Sequence, residues 1–303
     1  MADEQKVLDC LIVGAGAAGC AAATYLSRFC RDIALVDGGE SRLDRIPRTH
    51  NTPGYPEGIE GPALHALLRR QVARYGAPLR SATVTALELS DHGFIAKIDH
   101  GSLQARTILI ATGVKVKEPA IQGLEACVRE GLVRYCPICD GYEVRDRRLA
   151  VLGAQSHSLG EAHFLRTFTA DITFIPAGVE AEPRADACDE ARAAGIKLAP
   201  FSSDWKIVRD GDTLVLSGTN SDIVVDALYP CLGVEPQSEL ARRLGAGVDN
   251  TGALITNAHQ RTTIEHVYAA GDVTAGVDQI AAAFGQAAIA ACAIHNALRD
   301  IGV

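Results

Sequence analysis

Two thiols separated by two residues and followed at once by a carboxylate, Cys136-Pro137-Ile138-Cys139-Asp140, have the types and spacing of a two-electron redox centre. A pair so spaced can close into a readily exchanged disulfide, and the reactive species is the thiolate. Pro137 suits the first position of a helical turn, which would set Cys136 beside unpaired N–H donors that lower a thiol's pKa. Asp140 is then placed to move the proton that exchange must relocate. The alternatives are half of a structural zinc site, or two inert thiols. Zinc needs four ligands, usually from a second close pair. None of Cys10, Cys20, Cys30, Cys127, Cys188, Cys231 and Cys292 lies within two to four residues of another, so no metal is expected.

The elements that must position this centre begin at the N-terminus. The apolar run Val7 to Val13 stops at Gly14-Ala15-Gly16-Ala17-Ala18-Gly19, a small-residue helix follows to about Cys30, and a second run, Ile33 to Val36, ends at Asp37-Gly38-Gly39. Strand, glycine turn, helix, strand and acid form the dinucleotide fingerprint in its full context. Gly14 makes the tight turn, Gly16 lets a pyrophosphate approach the backbone, and Gly19 lets the helix pack on the strand. Asp37 is the expected acceptor for a ribose hydroxyl. Thr107 to Gly113, ending in Ala111-Thr112-Gly113, reads as another buried strand, as does His266 to Val273 with Gly271-Asp272 at its end. Asp272 is well placed for a polyol chain. The alanine-rich helix expected from Gln279-Ile280 to Leu298 could point its positive N-terminus at a flavin's pyrimidine edge. A turn-capping Asp272 and a core helix are the plainer readings.

The 303 residues allow two domains, and 48 % hydrophobic with 22 % charged residues matches ordinary globular proteins. Nine cysteines, an odd number without dense spacing, favour a reducing compartment. The polar opening Met1 to Lys6 carries no export core, so a cytoplasmic location is expected. No apolar run approaches the ~20 residues that span a bilayer, which argues against membrane insertion. A net charge of −8 argues against a nucleic-acid surface.

Taken together and in order, Gly14 to Gly19, Asn51-Thr52-Pro53-Gly54, Ala111-Thr112-Gly113, Cys136 to Asp140 and Gly271-Asp272 resemble the low-molecular-weight thioredoxin reductase family across nearly the whole chain. The resemblance implies an α/β fold of two Rossmann-like, three-layer ββα nucleotide-binding domains, the second inserted in the first. The FAD domain would comprise residues 1–116 and 243–303, and the inserted dithiol domain residues 117–242. It also implies a homodimer, a relative rotation of the domains during turnover, and a thioredoxin-like protein or small disulfide as substrate. By resemblance, Cys139 faces the flavin, Cys136 attacks the substrate disulfide, and Asp140 is the acid.

Three departures stand against that pattern. Where the family's inserted domain carries a second Rossmann motif, this chain has Leu149 to Ser158, with only Gly153 kept: Gln155 holds the second glycine position and Ser158 the third. A glutamine side chain at the closest phosphate approach would collide with a pyrophosphate. The next strand, Asp171 to Ile175, leads into Pro176-Ala177-Gly178-Val179-Glu180, with no basic residue before Arg184 to pair with a 2′-phosphate. NADPH is therefore not expected. A second FAD, helped by the hydroxyls of Ser156 and Ser158, or ferredoxin would be the donor. Finally, Asp278 precedes Gln279 where the family has a basic residue. Beside the ring it would disfavour reduced, anionic flavin by ~1–3 kcal/mol, on the order of tens of millivolts, whereas a solvated helix N-cap would do nothing.

The chain thus reads as an FAD-dependent dithiol–disulfide oxidoreductase. A dithiol oxidase passing electrons to oxygen and a flavoprotein that senses redox state without turnover are the alternatives. Tyr135 and Tyr142 flank the dithiol and either shield the flavin edge or pack. Cys10, Cys20, Cys30, Cys231 and Cys292 are expected to be buried small hydrophobes.

Overall fold

The computed structural model describes residues 6–153, 155–176, 185–200, 202, 205–218 and 222–303; for 155–157 and 185–187 the backbone alone is described. The first part of the chain forms β1 (Val7–Val13), α1 (Ala17–Arg28), β2 (Ile33–Asp37), a 3-10 turn (Arg42–Arg45), α2 (Gly61–Arg74), β3 (Leu79–Ser81), β4 (Val84–Ser90), β5 (Gly93–Ile98) and β6 (Gly101–Ile110). Then follow β7 (Val114–Val116), α3 (Leu124–Arg129), α4 (Pro137–Asp140), β8 (Leu149–Gly153), α5 (Gln155–Leu165), β9 (Ile172–Pro176), α6 (Ala185–Ala193) and β10 (Lys197–Leu198). The remainder comprises β11 (Lys206–Asp210), β12 (Thr213–Ser217), β13 (Asp222–Val225), β14 (Ala227–Pro230), β15 (Val234–Pro236), α7 (Glu239–Arg243), β16 (Val267–Ala269) and α8 (Ile280–Asp300).

From Cys10 to Val13, β1 is apolar on both faces because both are covered. Cys10 and Ile12 pack under α1 and α8, while Leu11 and Val13 pack against the other side with Val84, Leu87 and Phe94 of the β4–β5 hairpin. Parallel pairing gives the order β3-β2-β1-β6, with β16 parallel to the C-terminal half of β6 and β5 antiparallel to its N-terminal half. Helices, parallel sheet and antiparallel hairpin make three layers. Truncating a fully buried residue such as Leu11 would cost ~2–5 kcal/mol.

The second sheet, β10-β9-β8-β14, is wholly parallel. One face packs on α5 and α6, and the other on α3 and the antiparallel β11-β12-β13 layer. Trp205, which the sequence did not place, is buried on this second face. Both units are Rossmann-like, and the chain crosses between them on the β7–β15 ribbon, Val114 opposite Pro236. Ala241 of α7 already lies in the first core, although the sequence-based boundary falls at residue 243.

Among the described residues, α8 is long and apolar enough to cross a bilayer by length and mean hydropathy alone. Polar residues such as Gln286, His295 and Asn296 break up its apolar runs. Its Ala283, Ala287, Ala290, Ile294 and Leu298 stripe packs in the core with α1.

Candidate functional site

The glycine turn is built by exclusion of side chains. Gly14 has φ +106°, and a Cβ there would lie 2.3 Å from the Ala111 carbonyl oxygen. At Gly19 a Cβ would sit 1.7 Å from the Gly14 carbonyl, so α1 seats directly on the turn. Gly16, by contrast, has only Ser41 Oγ within 4 Å, at 3.7 Å, and α1 has no side-chain cap. The first N–H groups of α1, from Ala17 and Ala18, are thus left for an anion, and the positive end of the helix adds to the attraction.

Asp37 ends β2 as expected and is held on both sides. Gly39 N–H donates to one carboxylate oxygen at 2.9 Å and Arg69 to the other at 2.6 Å. From the same face of α2, His65 lies 2.9 Å from Asp44 through Nδ1 and 2.9 Å from the Ala15 carbonyl through Nε2. α2 therefore braces both the glycine turn and the acid. The sequence reading missed both residues, whose spacing of four on α2 was the available signal.

Gly14, Gly16, Ala17, Ala18, Asp37, Gly38, Gly39, Asn51, Ala111, Thr112, Gly113, Gly271, Asp272, Gln279 and Ile280 all line one cleft of about 2,050 Å³, which continues to Cys136, Cys139 and Asp140. Of the residues expected to bind the cofactor, Gly19 alone lies off it, in its packing role. The open backbone at Gly16, the uncapped helix and the volume fit an extended dinucleotide. Alanine at Gly14, which both strains the backbone and strikes a carbonyl, is expected to leave the purified protein with under about a tenth of its flavin absorbance. Alanine at Gly39, with φ +98° but no atom within 4 Å of a Cβ, should retain most of it.

Cys136 and Cys139 form a disulfide. Pro137 opens α4, Cys136 is its N-cap residue, and Cys139 N–H donates to the Cys136 carbonyl. Gln279, the N-cap residue of α8, turns its amide to the sulfurs, with Nε2 3.5 Å from Cys136 Sγ and 3.4 Å from Cys139 Sγ. Its Oε1 accepts from Asn51 Nδ2 at 2.8 Å, which fixes the amide's orientation. The dithiol therefore meets the first nucleotide-binding unit at the N-terminus of α8.

Asp140 accepts from Tyr229 Oη at 2.8 Å and pairs with Arg134 at 3.2 Å. Burial raises its pKa above the ordinary carboxylate range, against the lowering effects of Arg134 and Tyr229. Neither partner was identified from sequence. Tyr229 lies 89 positions away on β14. Tyr135 donates to Glu118, which also pairs with Arg45, whereas Tyr142 is 63 % exposed and stacks with Arg145, so it shields no cleft edge.

Asp278 is neither a solvated residue nor an N-cap, which corrects the plainer reading. Arg42 Nη1 donates to Asp278 at 3.2 Å and to Asp272 at 2.8 Å. Burial, then the neighbouring Asp272, pushes Asp278 up to about 6. The cysteine reading is also corrected in part. Cys10, Cys20 and Cys231 are buried, and burial pushes Cys10 and Cys20 up to about 12, but Cys30 and Cys292 are exposed where they follow or ride the outer faces of α1 and α8.

At the inserted domain's β8–α5 turn, Ser158 is buried, and its hydroxyl donates to the Cys231 carbonyl at 2.6 Å. It packs against Gly153, where a Cβ would lie 2.0 Å from Ser158 Oγ. That hydroxyl serves the core instead of a helix-start ligand. The side chains of Gln155, Ser156 and His157, and residues 177–184 with Arg184, lie outside the described residues.

A family model for pyridine nucleotide-disulphide oxidoreductases matches residues 8–287. A thioredoxin reductase of Mycolicibacterium smegmatis is 30% identical over 284 residues, covering 90% of each chain. The thioredoxin reductase structure from Streptococcus pyogenes superposes with a TM-score of 0.86 at 25% identity, over 97% of this chain and 99% of that one. The atypical thioredoxin reductase TRi from Desulfovibrio vulgaris Hildenborough gives 0.55 at 30% identity, over 96% and 98%. With its glycine turn, its cleft and its disulfide in this arrangement, the chain belongs to the pyridine nucleotide-disulphide oxidoreductase family and is a flavin-dependent disulfide oxidoreductase of the thioredoxin reductase type.

Proposed function

We propose that this protein passes electron pairs between FAD in the first cleft, the Cys136–Cys139 pair and an external disulfide, without NADPH as its ordinary donor. The observation that carries this is the disulfide lying against Gln279 at the head of α8, in the cleft that begins at the uncapped glycine turn. Gly14, Gly16 and the first turn of α1 would hold the pyrophosphate, Asp37 the adenosine ribose, and Asp272 the polyol. FAD supplies, when bound, acceptance and release of two electrons together.

The chain's own residues do the rest. Cys136 as thiolate attacks the substrate disulfide, forming a mixed disulfide and expelling one thiolate. Asp140, protonated to higher pH than an ordinary carboxyl, gives that thiolate its proton. Cys139 then attacks Cys136 Sγ, releases the second substrate thiol and restores the intramolecular disulfide. The Asn51–Gln279 bond holds an amide donor at the sulfurs throughout the flavin-facing half of the cycle.

Thioredoxin-like proteins are the proposed partners, after the relatives' names, and a homodimer is the proposed assembly. A second flavin or ferredoxin is the proposed donor. The deciding experiment releases and counts the cofactors by heat, then adds NADPH, NADH, a dithiol and reduced ferredoxin anaerobically. FMN alone, or no flavin after reconstitution, would refute the reading. Asp140→Asn is expected to lower disulfide turnover by about 10²-fold or more. It should also remove the basic limb of the kcat/KM profile, which lies above the ordinary carboxylate range. An unchanged profile would take the acid role from Asp140.

A further inference from the structure

Oxidation of a dithiol to a disulfide releases two electrons and two protons. If the bound cofactor took the pair with only one of those protons, the second would fall to a group of the protein. The negative charge gained by the cleft is also felt by every carboxylate near it. Arg42, Asp272 and Asp278 are arranged to respond. One guanidinium nitrogen serves two carboxylates, leaving the trio with a net negative charge. Asp278 is the more weakly held, at 3.2 Å against 2.8 Å for Asp272. It immediately precedes Gln279, whose amide touches both sulfurs.

We infer that Asp278 is the proton store of the flavin half-reaction, taking up one proton when two electrons enter the cleft and releasing it when they leave. When the electron pair comes from the dithiol, one of its two protons would go with the pair and the other to the Asp278 carboxylate; when it comes from a donor that carries electrons alone, both protons are drawn from water through the exposed part of the cleft. No further oxidant or reductant is involved. The inference rests on FAD occupying the cleft, as proposed above.

The charged groups facing Asp278 are Arg42 from the 3-10 turn and Asp272 after β16, and the first turn of α8 carries no acid of its own. Burial and Asp272 already hold Asp278 at about 6, so added negative charge carries it through neutrality. Two other cleft carboxylates are already engaged: Asp37 accepts from Arg69 and Gly39, and Asp140, beside Arg134 and Tyr229, is the proton donor of the substrate half-cycle proposed above. A side chain 29 % exposed can still exchange its proton with water.

The test is a spectroelectrochemical titration of the flavin-loaded protein from pH 5 to 9. In the wild type, the potential should fall with a slope of two protons per electron pair from near pH 6 upward, returning to one at higher pH. In Asp278→Asn the slope should be one proton throughout. A two-proton slope retained in Asp278→Asn would put the second proton on the cofactor and overturn the inference. Should Asp278→Asn not hold flavin, infrared difference spectra of Asp140→Asn decide, because reduction must then produce the carbonyl stretch of a newly protonated carboxyl. No such band would overturn the inference equally. Absence of FAD from the wild type would instead sink the proposed function.

Discussion

Replacing Cys136 by serine is expected to lower disulfide reduction on the order of 10⁴–10⁶-fold, the scale seen when a nucleophile is removed. The flavin should remain bound. The same variant leaves Cys139, whose sulfur lies 3.4 Å from the Gln279 amide at the head of α8. As a thiolate there, donating to oxidised flavin, it should give a broad long-wavelength absorption band. Cys139→Ser should be equally inactive but should show no such band, because the remaining thiol is then Cys136, the one proposed to meet the substrate. Full turnover by Cys136→Ser would reverse or abolish the assignment of roles. Gln279→Ala adds a graded control. Without the amide that faces both sulfurs, the band of Cys136→Ser should weaken while its inactivity stays the same.

The second large effect concerns the donor. Millimolar NADPH mixed anaerobically with the protein is expected to leave the flavin oxidised for many seconds, while a dithiol or reduced ferredoxin bleaches it. Each lost charge-assisted contact to a 2′-phosphate costs on the order of 1.5–3 kcal/mol, so two or three weaken binding by several orders of magnitude. The sequence after Ile175 offers no base until Arg184, and Gln155 stands at the position of the second glycine. The structure adds how the scaffold persists without its third glycine. Ser158 fills the space over Gly153 and satisfies its hydroxyl on the Cys231 carbonyl, so β8 and α5 stay closely packed while the motif is lost. Bleaching by NADPH within a second would make this an ordinary pyridine-nucleotide-linked reductase. Release of two flavins per chain would favour a second flavin as donor.

Some of this was fixed by the sequence on local grounds. The turn at Gly14 to Gly19 requires a positive φ and two approaches that no side chain permits, and both demands fall within a few residues. Cys10 to Val13 of β1 is legible for a similar reason: a stretch of strand buried on both faces is apolar at every position. Pro137 opens α4 beside Cys136 because the first position of a helix needs no N–H donor. Element ends were less legible. β6 ends at Ile110, with Ala111 to Gly113 left as open turn, because the boundary is set by where a partner strand stops pairing.

Only the tertiary structure decided how the polar groups pair. Arg42 meets Asp272 and Asp278 across 230 and 236 positions, Asn51 meets Gln279 across 228, and Asp140 meets Tyr229 across 89. No periodicity encodes such pairs, since they depend on which ends of which sheets and helices the packing brings to one cleft. The same holds for the exposure of Cys30 and Cys292 and for the place of Ala241 in the first core. A residue's type states what chemistry it can do. Its burial and its charged neighbours, set by long-range packing, decide the protonation state in which it does so, and that is why Asp278 could be read from sequence as a departure but not as a partner of Arg42.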